Sequence, residues 1–178
     1  MRDIEGIEKV VERLKPYQKD IQAHFDSENI RFKALMAQDH NIIGQILKYH
    51  LIIEYYLNRF LAHHYSIEDL ENVRLTFFQK AMLLPNSASA AAFVKPGILE
   101  LNTLRNHFSH TLNVEISDDQ LKNITSILDI IRAGVKFEKE IDKIIAFTTV
   151  ACTFLIVAPS NLQEVFMHAF SDIRINAL

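Results

Sequence analysis

Residues 41–65, NIIGQILKYHLIIEYYLNRFLAHHY, decide the fold. Twenty-five positions pass without proline, and apolar side chains cover more than half the circumference of a helix wound at 3.6 residues per turn. A solvated surface helix needs only one apolar stripe, so this segment predicts a central helix packed on several sides. Within it, Ile43, Leu47, His50, Glu54, Leu57 and Leu61 form one row at helical spacing, which puts an imidazole and a carboxylate on a face otherwise apolar. A carboxylate buried there is costly without a cation, so Glu54 calls for a basic partner.

Outward from this segment the same periodicity recurs. Ile4, Ile7, Val10, Val11 and Leu14 mark an amphipathic helix over residues 2–14, closed by Pro16, and a second helix is expected over 17–29. Downstream, Ser66 reads as an N-cap with Glu68 and Asp69 in the first turn, opening a helix through Leu70, Val73, Phe77, Met82 and Leu84 that Pro85 ends. Residues 85–92, rich in alanine and serine, read as a connector, and Pro96-Gly97 as the start of a helix carrying Ile98, Leu101, Leu104 and Phe108. Ser117 opens another helix through Leu121, Ile124, Ile127, Leu128, Ile131 and Val135. Ile144 to Ala158 is uncharged, but at fifteen residues it is shorter than the roughly 18 of a membrane span and reads as a core helix. A last amphipathic helix is expected over 161–175.

Composition agrees. Four glycines and four prolines in 178 residues compare with roughly 21 from average usage, too few for many short strands or for glycine-rich crossover loops. The expectation is an all-α, antiparallel bundle of about six to eight helices in one domain over 1–178, with N-terminal helices over 1–39, a core over 40–135 and C-terminal helices over 136–178. Nineteen basic against 22 acidic residues give a net charge of −3, which argues against coating duplex DNA through a broad positive field. A single cysteine, Cys152, leaves no cysteine-based zinc framework and fits a reducing, cytoplasmic compartment; the charged amino terminus has no export signal, and no membrane association is expected. No HExxH or comparable ligand spacing accompanies His63, His64 or His107, so neither a metal nor a cofactor is expected.

The segment 101–110, LNTLRNHFSH, is polar where packing does not require it. With Leu101, Leu104, Phe108 and Leu112 on the apolar face, Asn102, Arg105, Asn106, Ser109 and His110 occupy an adjoining band. Asn106 precedes His110 by four residues and can orient its ring, and Arg105 borders the apolar face, where it can approach Glu54. By spacing alone, Arg105 as a structural salt-bridge partner and His110 as a helix-end residue fit better than a catalytic pair.

The run Arg105-Asn106-His107-Phe108-Ser109-His110, in an LxxLRNxFSH context and preceded by a long apolar helix, resembles the arginine, four residues, histidine motif of the HEPN superfamily, including its mannitol-repressor-like members. The resemblance covers roughly residues 40–135. It implies a homodimeric helical bundle and, in the nuclease branches, a metal-independent endoribonuclease of toxin or defence type, with Arg105 and His110 catalytic and Asn106, Glu54 and Ser109 supporting. RNA brings its own nucleophile: His110 would exchange the proton of the 2′-hydroxyl or of the leaving oxygen, Arg105 would hold the phosphate, and a 2′,3′-cyclic phosphate would result. Antitoxin or regulatory-protein partners also follow from the resemblance. The tyrosine that toxin members often carry two residues after the histidine is replaced here by Leu112. Non-catalytic regulatory and nucleotide-binding modules belong to the same superfamily, and both alternatives stay open at this point.

Overall fold

The computed structural model describes residues 14–36, 41–108, 115–158, 161 and 163–169. The helix expected over 2–14 therefore lies almost entirely outside the described residues, as do Ser109, His110 and Leu112. All regular structure among the described residues is helical, with seven α-helices and three short 3-10 turns and no strand. The chain divides into two compact units, residues 1–39 and 40–178.

In the first unit a 3-10 turn at Lys15–Tyr17, with Pro16 in its first turn, leads into α1, Gln18–Met36. The helix continues seven residues beyond the expected end at Asn29. Gln22 donates to Asp26 at 3.0 Å along its exposed side, an i, i+4 pair of the kind that supports solvated helices.

The second unit is built on α2, Asn41–His64, which buries Ile46, His50, Ile53, Leu57 and Leu61. Its opposite side is open in the single chain, where Leu47, Leu51 and Tyr55 stay exposed. The helix expected over 66–84 is absent. Ser66 sits in a turn at φ +54°, a 3-10 turn spans Leu70–Asn72, and Val73 is extended. Only Phe77–Met82 forms a helix, α3. The local reason is a better start signal than Ser66: Thr76 Oγ1 accepts the Gln79 N–H at 3.2 Å and Gln79 Oε1 accepts the Thr76 N–H at 2.9 Å, a closed capping box.

Helix α4, Ala90–Phe108, starts six residues before Pro96, so the last three residues of the expected connector are helical and the proline lies inside the helix. Alanine is the strongest helix former, Ser89 Oγ accepts the Ala91 N–H at 3.3 Å, and this start outweighs the donor that Pro96 removes. Ser117 accepts the chain as expected, its N–H donating to Gln120 Oε1 at 3.0 Å, through a 3-10 turn at Asp118–Leu121 into α5, Lys122–Ile131. That helix ends before Val135, which is exposed beyond Gly134 at φ +83°. Helix α6, Glu140–Leu155, is the expected core helix, and α7, Gln163–Ala169, falls within the expected final helix. No helix among the described residues is long and apolar enough to cross a membrane.

Helix α6 packs along α2 and α4, and α4 in turn contacts α3 and α5, so α4 is the hub. One contact fixes how near α4 and α6 lie. A Cβ on Gly97 would fall 2.5 Å from Cε2 and Cζ of the fully buried Phe147 ring. Glycine is needed there for the space it leaves.

Candidate functional site

The polar residues of interest lie where α2, α3 and α4 meet. On α2, the buried face that carries Ile46, Ile53 and Leu57 also carries His50, and Glu54 follows one turn later at its edge. Glu54 finds the cation that the sequence called for in Lys80 of α3, with Nζ 2.7 Å from Oε1. The lysine side chain is only 8% exposed, and sequence reading missed it because lysine is ordinarily counted as solvated. What could have revealed it is its place between Phe77 and Ala81, both buried, in a six-residue helix.

From α4, Leu101, Leu104 and Phe108 enter the core as expected. Asn102, assigned to the polar band, is buried, whereas Asn106 is exposed and Arg105 half-buried between the two. Arg105 Nη1 donates to Asn106 Oδ1 at 3.0 Å. The described part of the motif helix thus ends with a guanidinium bound to its neighbouring carboxamide, at the C-terminal end of α4, where the helix dipole favours a cation. Ser109 and His110, the rest of the motif, lie outside the described residues.

His50 is the residue these elements converge on. Its ring stacks on Phe77 with centroids 3.8 Å apart and planes at 30°. Burial holds the imidazole below its ordinary pKa; Glu54 works the other way, Arg105 adds to the lowering, and the Asn102 carboxamide favours the charged form. Despite that proximity, neither Nδ1 nor Nε2 has a properly aligned hydrogen-bond partner among the described residues. Glu54, Asn102 and Arg105 therefore each act on His50, and Lys80 joins them through Glu54.

Two other buried or half-buried charges are structural. Lys95 Nζ donates to the carbonyls of Met82 and Leu84 at 2.9 and 2.7 Å and to Asn86 Oδ1 at 2.7 Å, closing the end of α3. Its three donors are all used, and burial lowers its pKa. Glu100 caps α5 from the side, with Oε1 accepting the Asn123 N–H at 3.0 Å and Oε2 the Ile124 N–H at 2.9 Å. Among the described residues no three His, Cys, Asp or Glu side chains come together as metal ligands. Compared with known protein families, characterised proteins and solved structures, the chain matches none.

Proposed function

We propose that the chain is a HEPN-like, metal-independent endoribonuclease of toxin or defence type that works as a homodimer in the cytoplasm, with Arg105 and His110 as its catalytic residues. The observation that carries this reading is the setting of Arg105. Arg105 is half-buried and near enough to lower the pKa of the buried His50, and Asn106 holds its guanidinium at 3.0 Å. Arginine presents a planar fork that matches phosphate oxygens, and a low-dielectric wall strengthens its hold on the charge that develops during transfer.

In this reading the 2′-hydroxyl of the substrate attacks the adjacent phosphorus, the 5′-oxygen leaves, and His110 carries a proton at one of these two oxygens. Arg105 neutralises the phosphoryl oxygens throughout. Asn106 orients the guanidinium, Glu54 and Lys80 fix the wall behind it, and Ser109 supports the motif. DNA lacks the attacking hydroxyl and is not cleaved.

The test is incubation of wild-type, Arg105→Ala and His110→Ala proteins with mixed RNA in chelator, followed by end-group analysis. Cyclic phosphate ends from the wild type alone are expected; undiminished cleavage by His110→Ala would reject the assignment. A non-catalytic regulatory module, in which an antitoxin or other protein partner takes the place of RNA, is favoured by one observation. The net charge is −3, and Lys80, Lys95 and Lys143 are all engaged with oxygens of the chain itself, leaving less positive field for a polyanion. Intact RNA after incubation with the wild-type dimer would favour that reading.

A further inference from the structure

Helix α2 has a second apolar face that the bundle leaves uncovered. Leu47, Leu51 and Tyr55 lie across the helix from the buried row of Ile46, Ile53 and Leu57, and they are 42%, 55% and 51% exposed. With Gly44, Ile52 and Tyr56 they line an open groove of about 580 Å³. Every described residue of that lining belongs to α2, so among the described residues the groove has a single wall. Scattered exposed apolar residues need no explanation, but large ones that adjoin along two turns mark an interaction surface.

Gly44 points the same way. Glycine weakens a helix, yet a Cβ at this position would meet nothing within 4 Å, and the backbone is not left-handed there. Neither reason for a glycine is found within the described chain. Close approach by the backbone of another element supplies one.

The charges say what kind of occupant fits. Lys48 and Arg59 are both exposed and eleven residues apart, which sets them three turns, or about 16 Å, apart on one edge of the face. Neither has an ion pair among the described residues. Arg59 Nη1 donates to Tyr55 Oη at 2.8 Å and its guanidinium lies 5.6 Å over the Tyr55 ring, which holds the cation against the apolar surface and leaves further donors of its fork uncommitted. The one carboxylate of α2, Glu54, is taken by Lys80 at 2.7 Å. In a chain with 22 acidic residues, this face has cations and no acid. A second copy of the face would bring four cations and no carboxylate into one seam, so it does not suit self-pairing. A lipid surface is held by clusters of about four to eight basic residues, and two fall short.

We propose that this face of α2 receives an amphipathic helix of a different protein, whose apolar stripe fills the groove and whose carboxylates, three turns apart, meet Lys48 and Arg59. Gly44 lets the two backbones close at one end. The proposal does not rest on the nuclease reading.

The test is fluorescence anisotropy of the full chain with a labelled helical peptide of about five turns, leucine at i, i+4, i+7 and i+11 and glutamate on both flanks, against the same peptide with lysine for glutamate. The acidic peptide should bind at least about tenfold more tightly. Leu51→Glu and Gly44→Leu should each weaken it by a similar factor without loss of the fold, because both positions are open. Lys48→Glu combined with Arg59→Glu should invert the preference. Equal affinity for the two peptides, undiminished binding by Leu51→Glu, or a preference that charge reversal leaves in place overturns the proposal. Sedimentation of the wild type and Leu51→Glu tests the second copy as occupant: an unchanged oligomeric state is expected, and a dimer that Leu51→Glu converts to monomer overturns the proposal. Phosphatidylserine vesicles test the lipid surface, and retention of the wild type but not of Leu51→Glu on them, without peptide binding, overturns it as well. Whether the same preparations cleave RNA decides the nuclease reading alone.

Discussion

Replacing Gly97 by alanine sets two effects of known sign against each other. In the interior of α4, exchanging glycine for alanine favours the helix by about 1 kcal/mol, because the unfolded chain loses freedom and a poor helix former is replaced by the best one. Against this stands the Phe147 ring. Carbon atoms rest about 3.5–4.0 Å apart, and the new methyl would meet Cε2 and Cζ at 2.5 Å, with Ile127 Cδ1 at 3.1 Å behind it. The ring is fully buried and must shift by about 1 Å within a close-packed core, where overpacking costs about 1–3 kcal/mol. Since two ring atoms collide, the upper end applies, and a net loss of about 2 kcal/mol is expected. Gly44 supplies the control: its Cβ would meet nothing within 4 Å, so Gly44→Ala should stabilise by up to about 1 kcal/mol. The same substitution thus has opposite signs at two helical glycines. Urea denaturation followed by far-UV circular dichroism measures both, and Phe147→Leu in the Gly97→Ala background should recover part of the loss through a coupling term. Stabilisation by Gly97→Ala equal to that by Gly44→Ala would refute the close approach of α4 and α6.

Two further outcomes follow from buried titratable groups. Because the folded-state pKa of His50 lies below its unfolded value near 6.5, the unfolded chain binds more protons between the two. Its contribution to stability is present above about pH 6.5 and is lost as pH falls through the folded value, so the Tm advantage of His50→Phe should widen on acidification; a pH-independent difference would contradict this. Burial pushes the Cys152 thiol up to about 11. At pH 8 only about one thiol in a thousand is then thiolate, against roughly a quarter for an ordinary cysteine, so a disulfide reagent should react at least about a hundredfold more slowly with native than with urea-unfolded protein. Equal rates would place Cys152 in solvent.

The parts of this fold that were legible in the sequence are those in which local pattern and tertiary packing agree. The α2 segment ends within one residue of its expected limit because its apolar positions and the absence of breakers point the same way. Leu101, Leu104 and Phe108 entered the core as their spacing requires. The region 66–84 failed because Leu70, Val73 and Phe77 fit a helical row by chance, while Thr76 and Gln79 formed a stronger start further on. Pro96 misled in the opposite sense, since the alanines before it already committed the chain to a helix. Of the candidate site, the bond between Arg105 and Asn106 was not read, because neighbours on a helix do not ordinarily face each other and the spacing gave Asn106 to His110 instead. The partner of Lys80 was not legible either, because Glu54 lies 26 residues earlier and on another helix. The same holds for the burial of Asn102: periodicity set it beside solvent, and the approach of α2 covered it.

The carboxylate of Glu100 has a consequence for how the molecule assembles. Helix α5 is ten residues long, below the length at which an isolated helix persists in water, and amides in its first turn are held by an oxygen pair on α4. Winding and docking of this segment are therefore a single event: hydrogen exchange should release its amides only when α4 lets go, and the two helices should open as one cooperative block.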